Sequence, residues 1–402
     1  MSPLIFIAVA VIFFGCLFGF SAGSTMALFL VVCFAALANF LTIVLIRLLD
    51  KNAIFDTPNA RSMHIRPVPR GGGWSFVILM ALGFALLLFS NAGVVFMRHE
   101  VALLLRHWEV KSALFTGAWQ VRDGVDFFQY YGIDAIILSM LAGFVALAGV
   151  SWRDDRRGVP ARIRLAVQLA AVALALCFYP AELVFPYWVP SWIAYPVIAL
   201  AWVWFINLYN FMDGIDGITA IETITISFAV GFIGLKIFAD TRANDLTLII
   251  ALVLFGGGLG FLRHNWHPAR IFLGDVGSIT IGYLLGFCLL HLAAMGYWHI
   301  ALTLPLYYLA DSGITLATRL WYGQKIWEAH RSHFYQIAAQ TAGRHDMVVA
   351  KIAACNFILV LLALLALLHG PWICLAAPVP VAILLRHFAK TGQIAYRGMG
   401  NG

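Results

Sequence analysis

Twelve apolar runs, most of them near the roughly 20 residues that carry an α-helix across a bilayer, dominate this 402-residue sequence. They fall at about 3–20, 26–48, 74–96, 132–150, 163–180, 187–206, 217–238, 246–262, 276–295, 299–319, 350–368 and 371–387. Only 11% of the residues are charged, against about 25% in a soluble domain. So few charges do not cover the surface of a water-soluble globule of this length. The expected fold class is therefore all-α: a polytopic transmembrane helix bundle of 11–12 spans, the first and sixth runs being the least defined. One integral membrane domain is expected over residues 1–402. The start of the chain has no basic segment ahead of its apolar run, so the first run reads as a retained helix and not as a cleaved signal peptide.

Charge supplies the orientation. With residues 49–73 placed in the cytoplasm and the spans alternating, 20 of the 26 Lys and Arg fall in cytoplasmic loops and flanks. Six remain for the other side: Arg98, Arg106, Lys111, Arg122, Lys236 and Arg242. Positive charge accumulates on the cytoplasmic side of short loops, so both termini are expected there. The formal charge of +7 is spread along these loops, which reads as topology; no nucleic-acid partner is expected. Cys16, Cys33, Cys177, Cys288, Cys355 and Cys374 stand far apart inside apolar runs, a spacing that supports neither a disulfide framework nor a structural zinc site.

Polar residues concentrate in five stretches, all on the face this topology makes cytoplasmic. The first runs from Phe55 through Asp56-Thr57-Pro58-Asn59, Arg61, His64 and Arg66 to Arg70-Gly71-Gly72-Gly73. It reads either as a basic topology loop or as a glycine-rich approach to an anion ahead of a helix. The second is Trp152-Arg153-Asp154-Asp155-Arg156-Arg157-Gly158, either a salt-bridged turn or a metal-assisted, phosphate-handling acid pair.

In the third, Asn207, Asn210, Asp213 and Asp216 recur at steps of three, which a helical turn would align on one face. Each Asp precedes a Gly, as in a turn, yet four such groups at the mouth of an apolar run favour function. The fourth, Asn265-Trp266-His267-Pro268-Ala269-Arg270-Ile271-Phe272-Leu273-Gly274-Asp275, ends on an acid that either caps the following helix or holds Mg²⁺. His264 and His267 lie three apart but, without further ligands, do not support a zinc site. The fifth is His330-Arg331-Ser332-His333-Phe334-Tyr335-Gln336, phosphate partners or an anionic-lipid contact. Asp311 lies inside an apolar run, where an acid is expected to have a partner or a function.

In order and separation these five stretches resemble the polyprenyl-phosphate N-acetylhexosamine-1-phosphate transferases of glycosyltransferase family 4. That superfamily includes the phospho-MurNAc-pentapeptide translocase. The resemblance covers about residues 26–345, leaving 346–402 as two further spans and a basic tail. The fifth stretch resembles the branch that initiates bacterial O-antigen and related glycans. The resemblance implies transfer of a HexNAc-1-phosphate from a UDP-N-acetylhexosamine (GlcNAc, FucNAc or QuiNAc type) to undecaprenyl phosphate, with UMP released.

It further implies Mg²⁺, replaceable by Mn²⁺, a bacterial inner-membrane location and a homodimer. Carried over by position, Asp275 matches the metal ligand, Asp154 and Asp155 the catalytic acid pair, and His333 a catalytic histidine near the diphosphate. Asp213, Asp216, Asn265 and Phe272 match the uridine pocket, and Asn207 and Asn210 fall on polar positions of the same motif. Arg61, His64, His330 and Arg331 complete the substrate-binding candidates. Where the family often has a lysine after the acid pair this chain has Arg156-Arg157-Gly158, and Tyr335 and Gln336 replace a histidine pair of other branches. The rival reading is a twelve-span transporter, but such proteins show internal repeats and midplane polar sites, and neither is evident here.

Overall fold

Inside hydrocarbon a backbone must satisfy every N–H and C=O within itself, and the apolar runs accordingly form helices. The computed structural model of the chain describes residues 22–58, 66–91, 133–179, 184–186, 188–237, 243–324 and 331–399. The helices are α1 (Ala22–Lys51), α2 (Trp74–Asn91), α3 (Ile133–Arg157), α4 (Ala161–Leu176), α5 (Ser191–Phe211), α6 (Ile218–Ile237) and α7 (Ala243–Asn265). They continue with α8 (Asp275–Leu292), α9 (Trp298–Thr303), α10 (Leu306–Trp321), α11 (Phe334–Ala342), α12 (His345–His369) and α13 (Pro378–Met399).

Among the described residues eight helical segments have the length and apolar composition of a membrane span, and the apolar part of α2, Trp74–Leu88, is shorter. The chain is an all-α, multi-pass membrane protein. The first expected run, 3–20, and the outer loop at 98–131 lie outside the described residues.

The expected span at 299–319 differs. The chain leaves α8 through a short kinked segment, Ala293–Tyr297, in which Gly296 sits at φ +88°, and enters α9. Pro305 then precedes a separate helix, α10, whose inner face carries the buried polar residues Asp311, Ser312 and Thr315. Proline lacks the N–H that would continue the helical ladder, so the run divides there.

Helices α7 and α8 form the centre. The α7 helix packs on α1, α6 and α2, and α8 on α5, α3 and α6. Every residue of α8 from Val276 to Leu289 is buried. A second buried acid, absent from the sequence reading, joins α6 to α12: Glu222 is 0% exposed and accepts Asn356 Nδ2 at 2.6 Å.

One end of the bundle is closed by a short antiparallel ribbon, β1 (Phe55–Asp56) against β2 (Val68–Pro69), which bridges onward from Arg70 to Phe272. The ribbon brings the start of α2 against the start of α8. At Gly73 a Cβ would lie 2.2 Å from the Gly277 nitrogen and 2.4 Å from its Cα, so the two backbones meet where no side chain fits. Substituting Gly73→Ala is expected to cost at least the 1–3 kcal/mol typical of overpacking, read as a fall in melting temperature of the detergent-solubilised protein. Gly149→Ala, where nothing lies within 4 Å of the added carbon, is the matched control and should leave the melting temperature unchanged or raised.

Candidate active site

The start of α8 organises the polar end. Its first N–H groups have no partner inside the helix, and Asp155, from the last turn of α3, fills that need. Asp155 Oδ1 accepts the Asp275 N–H and Oδ2 the Val276 N–H, each at 3.2 Å. The preceding Gly274 sits at φ +74°, and a Cβ there would stand 2.9 Å from Asp155 Oδ2, so both conformation and space call for glycine.

Arg70 Nη2 then binds Asp155 Oδ1 and Asp275 Oδ1, both at 2.9 Å. From the first turn of α4, Arg164 Nη1 pairs with Asp154 Oδ2 at 2.5 Å and approaches Asp275 Oδ2 at 3.6 Å. Asp154 also accepts the Val159 N–H at 2.7 Å. Burial works against the charge on Arg70, but Asp155, Asp275 and Asp56 together hold its pKa above the ordinary value. Three carboxylates thus face two guanidinium groups with one negative charge in excess, in a cluster whose Asp275 is 17% exposed.

The glycine-rich stretch has a different use from an anion cradle. Gly71 and Gly72 donate to Phe272 O at 3.2 and 2.8 Å, and Gly73 to Leu273 O at 2.8 Å. Their N–H groups are thus engaged by the fourth stretch, and small size serves close packing instead of phosphate approach. Among the described residues of this loop, Arg70 is the one that reaches the site.

Asn210 reaches the cluster, donating to Asp275 Oδ1 at 3.2 Å and Ser278 Oγ at 2.9 Å. Asn207 points to α4, where it and Gln168 exchange hydrogen bonds of 2.7 and 3.4 Å. Asp213 accepts Thr219 Oγ1 at 2.6 Å. Burial pushes its carboxyl up to about 7, with the Thr219 hydrogen bond opposing and the Asp275 charge adding.

Asp216 Oδ2 takes His267 Nδ1 at 2.6 Å, the Ala269 N–H at 3.1 Å and His345 Nδ1 at 3.3 Å. Burial would raise its pKa, but these donors, His345 first, prevail and hold it below the ordinary carboxylate value. Asn265 ties the two loops together, accepting the Gly217 N–H and donating to Ile271 O, both at 2.9 Å. Phe272 lies half-buried at the ribbon bridge.

In the fifth stretch, His333 is the N-cap of α11, 3% exposed, with Nδ1 3.1 Å from Asp311 Oδ1. Asp311 also accepts the N–H groups of Phe334 and Tyr335, each at 3.1 Å, so the intramembrane acid is the anchor of this helix start. Tyr335 and Gln336 are packing residues: Tyr335 Oη donates to Phe211 O, and Gln336 Oε1 accepts the His333 N–H. Arg331 is half-buried beside them. Arg61, His64 and His330 lie outside the described residues.

Arg70, Arg164, Ser278, Gln168 and His345 are the participants that the sequence reading left unassigned. The cation role looked for after the acid pair is filled by Arg70 and Arg164, while Arg156 lies 5.5 Å from the Trp152 ring centroid. Mg²⁺ takes one or two carboxylates and completes its octahedron with water and substrate phosphate. Asp275, partly exposed beside Asp154 and Asp155 in a group of net negative charge, fits that requirement.

Against known proteins, the model of the family described as "Glycosyl transferase family 4" matches residues 137–293. The chain is 24% identical over 360 residues, 85% of this chain and 86% of the other, to a "Probable undecaprenyl-phosphate N-acetylglucosaminyl 1-phosphate transferase" of Bacillus subtilis. It is 28% identical over 239 residues to a decaprenyl-phosphate N-acetylglucosaminephosphotransferase of Mycobacterium tuberculosis, covering 57% of this chain and 51% of that one. A phospho-N-acetylmuramoyl-pentapeptide-transferase of Streptococcus pneumoniae is 34% identical over 155 residues, 37% of this chain and 46% of its own length. The family model matches the segment that holds the second, third and fourth stretches and every acid of the cluster around α8.

Two outcomes are expected. Arg70→Gln and Asp155→Asn should each lower the melting temperature, and the double variant should lose less than the sum. The coupling should be on the order of 1 kcal/mol, because Arg70 is a third exposed and solvent screens part of the interaction. For Asp213, a folded pKa near 7 against about 3.9 unfolded means that the folded state binds the extra proton. In EDTA its contribution should therefore fall as pH rises from about 4 through about 7, and Asp213→Asn should flatten that dependence in melting curves.

Proposed function

We propose that the protein, whose residues 137–293 match the glycosyl transferase family 4 model, transfers a HexNAc-1-phosphate from a UDP-N-acetylhexosamine to undecaprenyl phosphate. A phosphate oxygen of the lipid attacks the sugar-bearing phosphorus, the bond from that phosphorus to the UMP oxygen breaks, and UMP leaves. The products are undecaprenyl-diphospho-sugar and UMP. The observation that carries this reading is the meeting of Asp154, Asp155, Asp275, Arg70 and Arg164 at the start of α8. A phosphoryl transfer asks chiefly for positioning and charge neutralisation, and this cluster offers both at the end of an apolar bundle able to seat an isoprenoid.

Arg70 and Arg164 exchange carboxylate partners for phosphate oxygens as the anionic substrates arrive. Asp154, held by Arg164 and one backbone N–H, handles the lipid phosphate and its proton, while Asp155 keeps the start of α8 in place. Asp275 would hold Mg²⁺, or Mn²⁺ in its stead, which would supply neutralisation of the diphosphate charge. Asn210 orients Asp275, and Asp213, Asp216 and Phe272 border the nucleoside. The sugar is GlcNAc, FucNAc or QuiNAc, the site and both termini face the cytoplasm of a bacterial inner membrane, and the product starts an O-antigen or related glycan.

The test is UMP release by purified protein given undecaprenyl phosphate and each UDP-N-acetylhexosamine, with Mg²⁺ or with EDTA. UMP should appear only with lipid phosphate and divalent metal, and Asp275→Asn should lose at least about 100-fold while remaining folded. Lipid-independent release, or near-normal turnover in Asp275→Asn, would overturn the assignment.

A further inference from the structure

Asp216, His267 and His345 come from three separate parts of the fold: the loop after α5, the loop after α7, and the first residue of α12. Their ligand atoms all lie within 4.8 Å of one another, and the set is the candidate metal cluster among the described residues. The two imidazole rings stand 4.7 Å apart between centroids. Both point Nδ1 at a single carboxylate oxygen, Asp216 Oδ2, at 2.6 and 3.3 Å. Asp216 and His345 are buried, while His267 is 29% exposed and opens the group to solvent.

We propose that these three residues form a Zn²⁺ site distinct from the magnesium position at Asp275. Two imidazole nitrogens and one carboxylate oxygen, with an open fourth position for water, form a ligand set suited to Zn²⁺. Mg²⁺ prefers oxygen ligands throughout. Metal–ligand bonds of about 2.0–2.2 Å in a tetrahedron place ligand atoms roughly 3.3 Å apart. His345 already stands at that spacing from Asp216 Oδ2, and His267 needs to withdraw by less than 1 Å.

The ion would staple the start of α12 to the two loops that Asn265 joins. It would do so through the one oxygen of Asp216 that carries all three contacts described above. This inference stands whether or not the protein is a transferase.

The test is zinc content by inductively coupled plasma mass spectrometry, on protein purified without a histidine tag or an immobilised-metal step and dialysed against limiting Zn²⁺. The wild type should hold one equivalent and, with Co²⁺ in its place, show the visible absorption of a tetrahedral site. His267→Ala and His345→Ala should each weaken zinc binding at least tenfold, whereas Asp275→Asn should retain the full equivalent. A folded wild type that takes up far less than one zinc overturns the proposal without reference to any variant. So does equal zinc in the wild type and in the His267→Ala/His345→Ala double variant. If a histidine variant does not fold, wild-type stoichiometry and the cobalt spectrum decide the matter.

Discussion

The positive end of α8 and the carboxylate set on it hold the polar end of the bundle together. Asp155 stands on the first two N–H groups of that helix, an arrangement in which helix dipole and hydrogen bonds act in the same direction; the dipole term alone reaches about 2 kcal/mol in partly buried geometries. Because Asp155 belongs to α3, this contact fixes two long helices against each other. Because Arg70 bridges Asp155 to Asp275, it also fixes the ribbon leading into α2. Gly274 and Gly73 are consequences of the same approach: one makes room for the carboxylate, the other for the backbone of α8.

The device recurs. Asp311 stands on the first two N–H groups of α11, again from a different helix, and Asp216 takes a backbone N–H from the loop that follows α7. Acids that would be costly in or near hydrocarbon are thus each tied to backbone donors that would otherwise be unpaired. Glu222 shows the contrast: its Oε2 is met by Asn356, but Oε1 and the Asn356 Oδ1 have no partner among the described residues. That pair is internal to the bundle, between α6 and α12.

Much of this was legible in the sequence, for identifiable reasons. Apolar runs of bilayer length have one available secondary structure, so the helices could be read directly, and Pro305 accounts for the division of the run at 299–319. The collection of polar stretches on one face followed from alternation and charge, and Asp154, Asp155, Asn210 and Asp275 do meet. Partner identity was not legible. Arg70 and Arg164 looked like topology charges because nothing local distinguishes an arginine that folds back onto an acid from one that faces lipid headgroups. Gly71-Gly72-Gly73 left an anion approach open beside a plain topology loop, because glycine permits close approach without specifying what approaches. His267 had no visible ligand partner within its own stretch, since Asp216 and His345 reach it from positions 51 residues before and 78 after.

This economy of donors bears on how phosphate would be held. In many phosphate sites the helix N-terminus itself receives the anion. Here the first N–H groups of α8 and α11 are occupied by Asp155 and Asp311, and those of the glycine stretch by Phe272 and Leu273. A diphosphate arriving there would therefore meet the Arg70 and Arg164 guanidinium groups ahead of these backbone amides. Arg70 and Arg164, each about one-third exposed, can turn from carboxylate to phosphate without unpicking a helix start. A site of that kind would keep its frame when empty and change the partners of two side chains when filled, as the proposed transfer, with one substrate from lipid and another from water, requires.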